Sequence, residues 1–166
     1  MKKKSSTQGG KNKRKGSAFE RDIAKILSYW IYKENNILRR SPTSGAEKGY
    51  GQGADVSIFQ PDHGKFKYFV EVKNGYQFDL FNARKYILGW YKIAKEKNKL
   101  GYPIWIIWKM PRRGIIIATS KRFFNVEELY ILKDLYIYDF KDLTENYKYD
   151  DIIKKNKKNL VNKIAI

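Results

Sequence analysis

Apolar and polar residues follow one another with two different periods along this chain, and each change of period marks an element. In "SAFERDIAKILSYWIYK" the residues Phe19, Ile23, Ile26, Leu27 and Trp30 recur at helical spacing. Ser17, followed three residues later by Glu20, reads as a capping box, which predicts a first helix opening at Ser17. A second helical stripe, Ala83, Ile87, Trp90, Tyr91 and Ala94, runs through "LFNARKYILGWYKIAKEK". Between the two stripes, "NILRR" reads as a short extended piece. "ADVSIF" and "KFKYFVEVK" read as strands, most simply a hairpin joined by the turn formers of "QPDHGK", in which His63 is a turn residue. "YPIWIIWKM" and "GIIIATS" form two more strands around the turn-like "PRRG". Beyond Ser120 the pattern weakens, with "VEELYIL" fitting a helix and "LYIYDF" an extended segment. This order of elements predicts an α/β domain with a central mixed sheet flanked by helices.

Composition bounds what such a domain can be. With 166 residues and 42% hydrophobic content the chain can bury one real core. The domain is expected over residues 17–150, after a disordered basic arm at 1–16 and before a basic C-terminal tail at 151–166. "SPTSGAEKGYGQG", with its glycines and Pro42, is expected to be a long mobile loop. The chain has no cysteine, which excludes disulfides and thiolate metal sites, and its single histidine argues against zinc. No apolar run reaches the ~18 residues needed to span a bilayer. The expectation is a soluble intracellular protein, cytoplasmic or associated with a nucleoid, without a membrane partner.

Charge narrows the partner. A formal net charge of +18 favours a polyanion, because lysines and arginines displace its condensed counterions. The charge is uneven: "MKKKSSTQGGKNKRKG" carries seven basic residues and no acid, and "KKNKKNLVNK" carries five and no acid. Nucleic acid is the natural ligand of such segments, and Lys13, Arg14 and Lys15 are candidate contacts.

Candidate chemistry lies in "YFVEVKNG". Alternation in a strand puts Tyr68, Val70 and Val72 on one face and Phe69, Glu71 and Lys73 on the other. Asp55 opens the first hairpin strand, so a suitable register brings it to the same end of the sheet as Glu71 and Lys73. Two carboxylates and a main-chain carbonyl such as that of Val72 are hard oxygen ligands suited to magnesium, with manganese as a substitute. Lys73 would position the nucleophile or stabilise developing negative charge on phosphorus, and Arg39 and Arg40 would clamp phosphate.

Taken in order, "SAFERDIAKIL", "RRSPTS", "GADV", "FVEVK", "YPIWIIWK" and "GIIIATS" resemble the PD-(D/E)xK nuclease superfamily, and within it the archaeal-type Holliday junction resolvases. The resemblance covers approximately residues 17 to 120. It implies a restriction-endonuclease-like core and a magnesium site built by Glu20, Asp55, Glu71 and Lys73. It matches the family's Arg-Ser pair to Arg40 and Ser41, and a second serine to Ser44. Ala54 stands where the family's proline is expected, and the loop carrying Ser44 and Lys48 is longer and richer in glycine. The activity implied is a metal-dependent endonuclease that resolves branched DNA as a homodimer. The alternatives are another nuclease of the same fold, of restriction, repair or flap type, and a non-catalytic basic nucleic-acid-binding protein.

Overall fold

The computed structural model describes residues 8–41, 53–58, 66–74, 80–110 and 112–153. Ser44, Lys48, His63, the loop around them and the turn between the first hairpin strands lie outside the described residues. The elements in chain order are α1 (Gln8–Tyr32), β1 (Leu38–Arg40), β2 (Val56–Ile58), β3 (Phe69–Lys73), α2 (Leu80–Lys97), β4 (Ile104–Met110), β5 (Gly114–Thr119), β6 (Tyr130–Leu132), β7 (Leu135–Asp139), α3 (Phe140–Asn146) and α4 (Tyr149–Ile153).

Among the described residues the strands form one mixed sheet in the order β1-β2-β3-β4-β5-β7-β6. Its ladders are antiparallel except for β3 and β4, which run parallel from Phe69↔Ile104 to Lys73↔Trp108. A parallel pair needs a crossover connection, and α2 supplies it.

Alternation divides the sheet's side chains between two cores. Val70, Val72, Trp105, Ile107, Ile117 and Tyr138 face Phe19, Ile23, Leu27 and Trp30 of α1 together with Phe140, Leu143, Tyr149 and Ile152 of α3 and α4. On the other face Phe69, Ile104, Ile106, Trp108, Ile116, Ala118 and Ile137 meet Ala83, Ile87, Trp90 and Ala94 of α2. A strand covered on both sides has to be apolar almost throughout, which is why "IWIIW" is an unbroken run. The expected mixed sheet flanked by helices is therefore the fold.

Three boundaries differ from the sequence reading. Helix α1 begins at Gln8, so residues 8–16 are helical rather than part of a disordered arm, and Ser17 lies inside the helix where it cannot cap. Lysine, arginine and glutamine propagate a helix well even without an apolar stripe, against a cost of about 1 kcal/mol for each of Gly9, Gly10 and Gly16. The segment "VEELYIL" is not helical. Leu129 donates its amide to the Ile137 carbonyl (2.8 Å), and β6 turns back through Lys133, at φ +53°, to pair Leu132 with Leu135. Finally, a boundary at residue 150 would cut α4, whose Ile152 is buried in the α1-side core.

Ser28 ties α1 to the sheet: its hydroxyl donates to the Leu38 carbonyl (3.2 Å) and accepts from the Leu38 amide (2.6 Å). That joint fixes where β1 presents Arg39 and Arg40. No described helix is long and apolar enough to cross a membrane.

Candidate active site

The site is built where β1, β2 and β3 come together. Gly53 takes φ +84°, a left-handed conformation that suits glycine, and leads the chain into β2. The Asp55 amide then donates to the Val70 carbonyl (2.8 Å), and its carbonyl accepts from the Ser41 amide (2.9 Å). Asp55 is thus pinned on both sides by backbone. Its Oδ2 accepts a further hydrogen bond from the Val72 amide (2.8 Å), which aims the carboxylate across the start of the hairpin at β3.

Glu71 points to the α2 side of the sheet and is only 3% exposed. Both faces of β3 are covered, and the face of Phe69, Glu71 and Lys73 opens only at the strand's end, where side chains pass from Phe69 through Glu71 to the partly exposed Lys73. Lys73 Nζ pairs with Glu71 Oε1, and Lys97 Nζ stands 4.0 Å from the same oxygen. Glu71 Oε2 is buried and has no hydrogen-bond partner among the described residues.

These placements crowd two carboxylates into a buried space. Burial is the main reason that the Asp55 carboxyl is pushed up to about 7, followed by the charge of Glu71; the Val72 amide opposes both, Glu20 adds a smaller push, and Lys73 opposes it. Glu20 itself pairs with Arg40 Nε. The structure therefore brings Asp55, Glu71 and Lys73 together, with the Glu20–Arg40 pair near enough for Glu20's charge to be felt. Among the described residues no three of His, Cys, Asp and Glu converge on one metal-holding point. The donors nevertheless suit a hard divalent cation: two adjacent buried carboxylates, one with an oxygen that has no hydrogen-bond partner among the described residues, offer hard oxygen ligands with acceptor capacity to spare. Val72 buries its side chain in the core, so only its main chain can serve the site.

The candidate DNA contacts divide. Arg39 is exposed on β1 opposite Ser57, and Arg40 is partly exposed beside Glu20. Ser41 is buried and its hydroxyl donates to Ser57 Oγ (3.0 Å), so it supports Asp55 from within instead of facing a ligand. Lys13, Arg14 and Lys15 lie on α1, with Arg14 and Lys15 exposed; the Lys15 carbonyl accepts from Asn74 Nδ2 (3.2 Å), which sets this basic stretch beside the end of β3.

Sequence reasoning missed Lys97. A signal was present, since Ala83, Ile87, Ala94 and Lys97 with Trp90 continue a 4-3-4-3 spacing that carries the buried stripe one turn further, to a lysine.

The chain matches the family described as "Phage putative PDDEXK endonuclease" over residues 11–164. No curated protein and no solved structure matches it. The matched span runs through every strand of the sheet and through Asp55, Glu71 and Lys73, and the chain belongs to this phage PD-(D/E)xK endonuclease family.

Proposed function

We propose that the protein is a magnesium-dependent DNA endonuclease that hydrolyses phosphodiester bonds, and that its substrate is branched DNA, a four-way junction cut by a homodimer. The observation that carries the metal reading is Glu71 Oε2, a buried carboxylate oxygen without a partner among the described residues, beside an Asp55 that resists ionisation. Asp55, Glu71 and the Val72 carbonyl would hold Mg2+, or Mn2+ in its place, with Glu20 contributing from α1. The bound ion would lower the pKa of a water and neutralise charge on the phosphoryl oxygens. Lys73 stays beside Glu71, where its ammonium orients the attacking water and opposes the charge that develops on phosphorus. Arg40 is kept at the site by Glu20 and can take a phosphate oxygen, while Arg39, Lys13, Arg14 and Lys15 supply affinity along the backbone. Ser44 and Lys48 are assigned to the same DNA surface by their place in the sequence.

Glu20→Gln separates two roles for that residue. Glutamine still accepts from Arg40 Nε but carries no charge and is a poor ligand for magnesium. The pair is partly exposed and contributes at most about 1 kcal/mol, so the melting temperature should move by no more than about 4 °C. Cleavage should fall more than tenfold. Undiminished cleavage would confine Glu20 to the ion pair with Arg40.

The resolvase reading rests on the ordered match of Glu20, Asp55, Glu71 and Lys73 with the Arg40-Ser41 segment, and on one active site cutting one strand. Paired cuts need two sites related by a two-fold axis, as a closed homodimer supplies. The expected result is a dimer by light scattering that cuts a four-way junction in two opposed strands faster than linear duplex of the same sequence, in Mg2+ and not in chelator. A monomer that nicks junction and duplex equally well would transfer the assignment to another nuclease of this fold.

A further inference from the structure

We propose that Lys97, on the last turn of α2, is a second cation of this active site: it holds Glu71 in place and takes a non-bridging oxygen of the phosphate being cut. The proposal rests on the nuclease reading and adds to it a residue that the superfamily motif does not contain. Lys73 already forms a hydrogen-bonded ion pair with Glu71 Oε1. Lys97 stands differently. At 4.0 Å its ammonium is close enough to attract that oxygen but beyond hydrogen-bond length, so Glu71 does not consume its N–H groups. Its side chain is 37% exposed whereas that of Glu71 is 4% exposed, which puts the Lys97 ammonium at the mouth of the site, between a buried carboxylate and solvent.

The stem of Lys97 is placed as carefully as its charge. The left-handed turn at Gly53 runs along it: a Cβ added to Gly53 would lie 3.6 to 3.9 Å from the Lys97 Cβ, Cγ and Cδ atoms. Lys97 therefore lies alongside the turn that delivers Asp55, leaving room there for no more than a side-chain Cβ, while its ammonium faces Glu71 from a helix packed against the sheet. The other lysines of this region, Lys92, Lys95 and Lys99, are exposed.

Charge balance explains what a second ammonium would do. The charges of ionised Asp55 and Glu71 are balanced by Lys73 and Lys97, so with a divalent cation held by these carboxylates the site would keep net positive charge to meet a phosphate. With Lys97 removed, one carboxylate charge is uncompensated and the phosphate loses a fixed donor. A preorganised donor at a developing oxyanion is worth about 10²–10³ in rate.

The test compares Lys97→Gln, Lys97→Arg and the exposed control Lys92→Gln in single-turnover cleavage with Mg2+ and in DNA binding with Ca2+. Lys97→Gln should cut about 100-fold more slowly with DNA affinity within threefold of the unsubstituted protein, Lys97→Arg should recover at least tenfold of that loss, and Lys92→Gln should cut normally. Independently of activity, Lys97→Gln should lower the melting temperature in chelator when Glu71 is present and not in a Glu71→Gln background, the signature of a direct coupling. Cleavage by Lys97→Gln within threefold of normal, Lys97→Arg no faster than Lys97→Gln, or a melting shift that ignores Glu71 would each overturn the proposal. Absence of cleavage by the unsubstituted protein on every DNA would instead reject the nuclease reading, leaving the melting cycle to decide the Lys97–Glu71 contact.

Discussion

Asp55→Asn is expected to abolish cleavage, by more than about 100-fold, since even outer-shell changes at metal sites cost 10–100-fold. Its DNA affinity should stay nearly intact because the basic surface supplies that. The same substitution should stabilise the protein in chelator at pH 8. The sign follows from the carboxyl's rise from its ordinary 3.8 to about 7 in the folded chain. Between these values the folded state holds a proton that the unfolded state releases, so stability falls as pH rises and the full penalty applies above about 7. Asparagine escapes the penalty and its Oδ1 can still accept from the Val72 amide. Each tenfold change in proton affinity corresponds to about 1.4 kcal/mol, and after allowance for the site's partial hydration the gain should be on the order of 1–3 kcal/mol. That is about 2–12 °C in melting temperature for a chain of this size. The difference between the two proteins should grow from pH 4 to 7 and then level off. Adding Mg2+ should raise the melting temperature of the unsubstituted protein at pH 8 and leave Asp55→Asn where it was. A difference that is flat with pH would remove the buried charge from the account.

The largest effect on folding is expected from Trp105→Ala. Trp105 is fully buried on β4, stacked on Tyr68 at 4.1 Å between ring centroids, with Trp30, Phe66 and Phe123 around it. Emptying that space should cost about 3–5 kcal/mol, a large part of the 5–15 kcal/mol that holds a typical domain. Trp105→Phe should be milder for a specific reason: the indole Nε1 is buried without a partner among the described residues, so phenylalanine keeps ring contacts and gives up no hydrogen bond seen there. Urea denaturation followed by circular dichroism measures both. Equal losses for the two variants would mean that ring packing is not what Trp105 contributes. Trp105 also pairs with Val70 across the parallel ladder, so its loss is transmitted to the strand that carries Glu71.

Much of this architecture is legible in the sequence wherever burial imposes a period. Helix α2 spans the segment whose stripe announces it, and the antiparallel pairing of β2 and β3 carries Asp55 toward β3 as the hairpin reading implies. What escapes is structure held by something other than a buried stripe. Residues 8–16 extend α1 through polar residues, on which apolar periodicity is silent. In "VEELYIL" the apolar spacing satisfies a helix, yet a two-residue turn and the edge of β7 decide for a strand. The short helices α3 and α4 are too brief to show a period, although Phe140, Leu143, Tyr149 and Ile152 close one core. At the site, the two strand carboxylates can be read from spacing, whereas for Lys97 the sequence offers only its place on the α2 stripe, and its partner Glu71 emerges from the fold.

The order of the strands gives the site an uneven foundation. Glu71 and Lys73 stand on β3, paired along its whole length with β4 at the centre of the sheet, whereas Asp55 precedes the three-residue β2, and Arg40 belongs to the three-residue edge strand β1. Short strands at a sheet edge open by local fluctuations that leave the centre closed. The proposed catalytic constellation thus spans the centre of the sheet and its short-stranded margin. On heating, cutting should fail before the fold does, and a DNA backbone gripped by Arg39 and Arg40 would close that margin at the moment the substrate is held.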